Sequence, residues 1–191
     1  MPEKEVLLII AGLLFIVGFG PYIRAILRKE TKPVKASWII WASLDYIVLA
    51  GMIAANSVNG QIIGAIVGAS TVMCLAMKFG TPGWTKTDKW CLGGAVLGVA
   101  LWFVFSSPIL GIMVSCVVGF LGSIPTFISA WNNPDHENKL AWTIFWLSCV
   151  CALFAVPHWT LEDAAQPVTF SAVETIMMYI LYIHSRPRVR V

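Results

Sequence analysis

The sequence predicts an all-α membrane protein of seven transmembrane helices, built as two parallel three-helix repeats joined by a linker helix, a 3+1+3 arrangement. Three observations predict it. Of the 191 residues, 58% are apolar and 12% charged, with a mean hydropathy of +0.79. Soluble domains carry about 25% charged residues, and apolar side chains this numerous exceed what one small core holds, so many must face lipid. The apolar residues fall into seven runs separated by short polar loops. The chain also resembles itself at an offset of 104 residues.

The spans cover 6–27, 37–55, 61–79, 91–105, 109–131, 140–158 and 168–183, most near the ~20 residues that cross a bilayer. The fourth is shortest and borrows Trp90 and Ser106. The first begins close to Met1 without a cleavage site and runs through Gly18, Gly20 and Pro21, so it reads as a retained helix and not as a signal peptide. Loops such as "NSVNG", "NNPDHEN" and "TLEDAAQP" connect the spans. Gly60, Gly64 and Gly68 form a small-residue stripe for close helix packing. With the N-terminus outside, 12 of the 13 Lys and Arg residues fall on the cytoplasmic side and only Lys4 outside, while Glu162 and Asp163 lie on the outer side. That bias requires an odd number of spans. It places the C-terminus in the cytoplasm and the protein in a plasma or inner membrane.

The self-similarity is read from matched positions. At the 104-residue offset Gly18 meets Gly122, Pro21 meets Pro125, Lys35 meets Lys139, Trp38 meets Trp142, Ile40 meets Ile144, Thr71 meets Thr175 and Met73 meets Met177. Apolar matches come cheaply in such a chain; paired Pro and paired Trp do not. Residues 1–86 form the first three-helix repeat, 87–107 the linker helix, and 108–191 the second repeat with a basic tail. Three spans is an odd number, so the linker restores the orientation of the second repeat and the two run parallel.

The stretch "PYIRAILRKETKPVKASWIIWASLDY" resembles the first half of a PQ-loop repeat, with a kinking Pro, a short basic loop and a Trp-bearing second helix. "SAVETIMMYILYI" is similar to the third helix of the related SWEET transporters. The chain departs from both patterns: Tyr22 follows Pro21 where PQ-loop proteins carry Gln, and the Asn pair of the SWEET sugar site is missing, Ile63 and Pro167 standing near it. The resemblance implies a 3+1+3 fold and transport of a small solute such as a sugar, an amino acid or a vitamin-like molecule. Asp45 resembles the Asp of the second helix in lysosomal amino-acid transporters of the group.

Pro21 and Pro125 each interrupt a helical run and bend it, as static kinks or as a matched pair of hinges. Asp45 and Glu174 are the acids well inside spans, where an ionisable residue costs about 2.5–3.5 kcal/mol and faces a bundle interior or wet cavity. Trp38, Trp41 and Asp45 share one helix face at i, i+3 and i+7, with Trp142, Phe145 and Cys149 as repeat mates. The expected substrate-binding set is Trp38, Trp41, Asp45, Ser70, Met73, Trp142, Phe145, Glu174 and Met177. Trp38 and Trp142 also suit the alternative of interfacial anchors. Asp45 and Glu174 are expected to couple protons, since no Lys or Arg lies at their depth. Gln61, Gln166, Asn56 and Asn59 read as loop or cap residues, and His158 as an interfacial residue.

The five cysteines lie in apolar runs without a CxxC pair and read as small core residues, so neither a disulfide frame nor a metal site is expected. No nucleotide loop or catalytic triad occurs, so enzyme activity and cofactors are not expected, and a net charge of +3 gives no nucleic-acid footprint. The last span lacks the Lys a retinal would need. The function expected is a transporter for a small polar solute working by alternating access, with proton linkage through the acids. The alternative is a seven-helix receptor, sensor or cargo-binding protein on the same scaffold. Partners are the solute, protons and the lipid bilayer; self-association into a homo-oligomer is compatible with the sequence.

Overall fold

The computed structural model describes residues 2–81, 84–105 and 108–185, and every regular element among them is helical. In order they are α1 (Pro2–Leu27), α2 (Lys35–Ala54), α3 (Gly60–Phe79), α4 (Lys86–Phe105), α5 (Pro108–Gly122), α6 (Ile124–Asn132), α7 (Lys139–Ala155) and α8 (Leu161–Tyr179). α5 and α6 are two halves of one rod bent at Ser123, so the described residues form seven rods. Four of them, Glu3–Leu27, Lys35–Ala54, Gly60–Phe79 and Ile109–Asn132, are long and apolar enough to cross a membrane. On α1, Ile9, Leu13, Ile16 and Val17 turn about half or more of their surface outward, a continuous apolar face suited to lipid and not to water. Length, composition and outward face are those of a membrane protein.

Six rods close a ring. α1 packs on α3 and α7, α3 on α2, α2 on α5, α5 on α8, and α8 on α7; α4 stands outside against α5 and α2. Phe15, Phe19, Tyr22, Trp38, Trp142 and Phe145 form the aromatic centre of the ring. The glycine stripe lies in the α1–α3 contact. A Cβ on Gly12 would stand 2.8 Å from the Gly60 backbone, one on Gly64 would stand 2.9 Å from Ile16, and one on Gly68 would fall inside the Phe19 ring. Only glycine lets these backbones approach so closely.

Helix ends follow local chemistry. Lys29 (φ 61°) and Asn56 (φ 54°) take the left-handed conformation that ends α1 and α2, with Glu30 N donating to Ala25 O at 2.9 Å and Ser57 N to Met52 O at 2.9 Å. Asn59 and Asn138 cap α3 and α7, accepting from Ile62 N at 3.1 Å and Ala141 N at 2.9 Å. Lys32 N donates to His136 O (3.0 Å) and Thr81 N to Pro33 O (3.0 Å), so the loops after α1, α3 and α6 meet at one end of the ring, the basic end. At the opposite, acidic end Lys4 Nζ donates to Val156 O (2.9 Å) beyond α7.

Several boundaries differ from expectation. The last helix starts at Leu161 and not at 168, so "TLEDAAQP" is mostly helix. Thr160 caps it, Glu162 and Asp163 favour its positive N-terminus, and Pro167 sits buried inside it. The proline forfeits one backbone bond, and packing against α5 and α7 offsets that loss. α7 ends at Ala155, two residues before Pro157, and not at 158. α1 extends back to Pro2 and α4 to Lys86. The basic tail residues Arg186, Arg188 and Arg190, the turn at Ser106, and the Cys91 side chain lie outside the described residues.

Candidate functional site

At the centre of the ring lies a cavity of about 70 Å³. That is room for a few waters or a comparably small solute. Every rod of the ring contributes. Phe15 and Phe19 come from α1, Trp38, Trp41 and Asp45 from α2, Ala65 and Ala69 from α3, Ser115, Cys116 and Gly119 from α5, Trp142 and Phe145 from α7, and Thr169, Phe170, Val173 and Glu174 from α8. The i, i+3, i+7 spacing of Trp38, Trp41 and Asp45 turns all three inward, as expected. Trp38 is 3% and Trp142 2% exposed, which removes the anchor reading for both. Their rings stand nearly at right angles to their neighbours: Trp38–Trp41 at 5.0 Å and 88°, Trp142–Phe145 at 6.0 Å and 85°, Trp41–Trp142 at 6.4 Å and 71°. The result is an aromatic box.

Both buried acids line this box. Asp45 and Glu174 are each 6% exposed, and among the described residues neither has a hydrogen-bond or ion-pair partner. The ion pair formed among those residues is Arg28–Glu30, 4.0 Å apart at the surface. Glu174 Oε2 and Trp38 Nε1 are fully buried and find no protein partner. Leaving such groups unmatched is costly, so they are kept for something other than stability. Ser70, Met73 and Met177 do not line the cavity. Ser70 shares a hydrogen bond with the Tyr46 hydroxyl (3.1 Å), while Met73 and Met177 pack in the core.

Near the basic end a buried carboxyl ties α1 to α7. Glu137, in the loop before α7, is buried, and its Oε2 accepts from Tyr22 Oη on α1 (2.9 Å) and from Trp142 Nε1 (2.8 Å). Burial pushes the Glu137 carboxyl up from 4.5 to about 7, against the opposing pull of those two donors. Neither Tyr22 nor Glu137 was expected at the site. Phe15, Phe19 and Tyr22 do share a face at i, i+4 and i+7, a signal legible in the sequence, whereas Glu137 sits in a polar loop and nothing local marks it.

Toward the acidic end a chain of amides spans the ring. Asn59 Nδ2 donates to Gln166 Oε1 (2.8 Å), Gln166 Nε2 to Gln61 Oε1 (3.0 Å), Gln61 Nε2 to Ser148 Oγ (3.0 Å), and Ser148 Oγ to Ala11 O (2.7 Å). Gln61 and Gln166 are fully buried, so they are not the peripheral residues expected; Asn59 is both cap and first link. Asn59 also borders a second hollow of about 270 Å³ with His158 and Asp163.

The two prolines occupy different settings. Pro21 lies inside the unbroken helix α1, whereas Pro125 opens α6 directly after the bend. There its missing N–H costs little. At the bend Ser123 N turns to Phe120 O (3.0 Å), and Gly119 O accepts instead from Ser123 Oγ (3.1 Å) and Trp41 Nε1 (3.1 Å). Trp41 also donates to Ser123 Oγ (3.1 Å), so one cavity-wall ring clamps the kink of the neighbouring helix. Among the described residues no three His, Cys, Asp or Glu side chains converge on one point as a metal site requires. Comparison with protein-family models, with curated proteins and with solved structures finds no match to this chain.

Proposed function

We propose that the chain is a membrane transporter that moves a small polar solute by alternating access, on a 3+1+3 scaffold of the PQ-loop and SWEET kind, with proton linkage through Asp45 and Glu174. The observation that carries this reading is where the cavity sits relative to the internal repeat. Ten of its lining residues are five pairs at the 104-residue offset: Phe15 and Gly119, Trp38 and Trp142, Trp41 and Phe145, Ala65 and Thr169, Ala69 and Val173. A hollow lined by equivalent positions of two repeats lies on the axis that relates them, which is where transporters of repeated build bind their solutes.

The packing supports the same reading. Exchanging α1 with α5–α6, α2 with α7 and α3 with α8 leaves the order of contacts around the ring unchanged. Gly18 faces Ile144, and its mate Gly122 faces Ile40, the mate of Ile144. α2 and α7 start at Lys35 and Lys139, again 104 apart. In this reading Tyr22–Glu137 at the basic end and the amide chain toward the acidic end act as closures, and both join residues of different repeats. Rocking one repeat against the other breaks one closure while keeping the second. In this reading the basic end faces the cytoplasm.

Reconstituted into liposomes, the protein is expected to give saturable counterflow of a small polar solute. Ala69→Phe, which fills the cavity from α3, is expected to abolish that flux, with Ala69→Leu intermediate. Monodisperse elution of both variants controls for folding, since overpacking costs about 1–3 kcal/mol. Flux unaffected by Ala69→Phe in folded protein, or no flux across a panel of sugars, amino acids, amines and vitamins, refutes the proposal.

A further inference from the structure

The chemistry of the cavity wall narrows the class of solute. Among the described residues no Lys, Arg or His lines it, while two carboxyl groups do. Glu174 lines the cavity, its Oε2 is buried without a partner among the described residues, and Asp45 has no partner among them either. Hydrogen-bond donors are scarce. Trp41 Nε1 is committed to the α5–α6 bend, Trp142 Nε1 to Glu137 and Thr169 Oγ1 to Ala165 O (2.8 Å), leaving the Ser115 hydroxyl and the buried Trp38 Nε1. The remaining surface is apolar, mostly the aromatic rings together with aliphatic Leu44, Val48, Ala65, Ala69 and Val173.

Resting on the transporter reading above, we propose that the solute is a small organic cation without a carboxylate, an amine or a quaternary ammonium. A positive charge is drawn to ring faces, most strongly to Trp and most of all where water is excluded. It also satisfies the uncompensated carboxyls, which no group among the described residues does. A zwitterion or an anion brings a carboxylate into a wall that holds two of its own and no cation to receive it. A sugar brings several hydroxyls that each need a donor and an acceptor, and the wall has few donors to give. The small volume excludes long polyamines and leaves room for a head group of a few heavy atoms.

The test compares charged molecules with neutral partners of the same shape. Choline is set against 3,3-dimethylbutan-1-ol, benzylammonium against benzyl alcohol, and glycine betaine is added as choline's carboxylate-bearing relative. Binding to the full chain in nanodiscs is measured by calorimetry, and counterflow is measured in liposomes. Each cation is expected to bind tighter than its neutral partner by on the order of tenfold or more, with betaine weaker than choline. Asp45→Asn and Glu174→Gln, close in shape to the originals, are each expected to reduce that preference, read as the ratio of cation to neutral-partner affinity. Neutral partners binding as well as the cations, no binding by any cation, or a preference that survives in the Asp45→Asn/Glu174→Gln double variant overturns the assignment. Flux of sugars or neutral amino acids with no preference for cations overturns it too, and leaves transport standing. Cation binding without flux of any solute overturns transport and leaves the cation site standing.

Discussion

Glu137→Gln isolates the titration of the basic-end closure. The glutamine oxygen keeps the acceptor that Tyr22 Oη and Trp142 Nε1 use at 2.9 and 2.8 Å, and its amide nitrogen replaces Oε1, which has no partner. What changes is the proton. Burial raises the carboxyl from 4.5 to about 7, so the folded protein holds that proton more tightly than the unfolded chain does. The resulting stabilisation is complete below 4.5 and is lost as pH rises through 7. At about 1.4 kcal/mol per pKa unit, the loss amounts to about 3 kcal/mol. The parent and Glu137→Gln are therefore expected to be similarly stable near pH 5, with the parent falling behind by up to about 3 kcal/mol near pH 8. Tyr22→Phe removes one of the donors that hold the carboxyl down, and should shift the parent's decline to higher pH. The measurement is the unfolding midpoint in detergent across this range, taken as the difference between parent and variant so that other titrating groups cancel. Parallel profiles, or a parent that gains on the variant as pH rises, refute the reasoning.

Four further outcomes follow from contacts already described. Gly68→Ala places a methyl inside the Phe19 ring and should cost about 1–3 kcal/mol in thermal unfolding, while Gly20→Ala, which meets nothing within 4 Å, should be neutral or stabilising by about 1 kcal/mol. Gln61→Leu cuts the amide chain and strands buried partners, at about 1–3 kcal/mol by the same assay; adding Gln166→Leu should recover part of the loss. Pro125→Ala should slow solute flux with near-normal expression more than Pro21→Ala does, because only Pro125 adjoins a break in its helix; equal flux in both variants returns the residues to static kinks. Flux should vary between about pH 5 and pH 8 and flatten in Asp45→Asn; pH-independent flux in the parent removes proton linkage through the acids.

The helical class and the cavity wall were legible because both rest on periodicity. Apolar runs mark rods, and the spacing of Trp38, Trp41 and Asp45 turns one face of α2 inward wherever its neighbours lie. Ser70, Met73 and Met177 lie off the cavity wall because a repeat offset transfers position along a helix and not the small rotation that decides what faces a cavity. Glu174 lines the wall while Ser70, its mate, turns to Tyr46. The start of α8 was misread because Pro167 looks like a boundary, and only packing shows that a buried helix absorbs it. Gln61 and Gln166 looked peripheral because polarity near a span end ordinarily means solvent. Their partners lie 87 and 105 residues away in the chain, and no local pattern announces them. Glu137 was hidden for the same reason.

The two closures of the cavity differ in what they can sense. The amides of Asn59, Gln61 and Gln166 and the hydroxyl of Ser148 neither gain nor lose a proton in the physiological range. The strength of that closure depends on temperature and on water competing for its bonds. The opposite closure rests on the carboxyl of Glu137, whose charge changes near neutral pH. In the transporter reading, a difference in proton activity across the membrane would act on one latch and leave the other indifferent. Such a pair would behave as a rectifier: acidification at the basic end would favour the buried carboxyl and have no grip on the amides at the other.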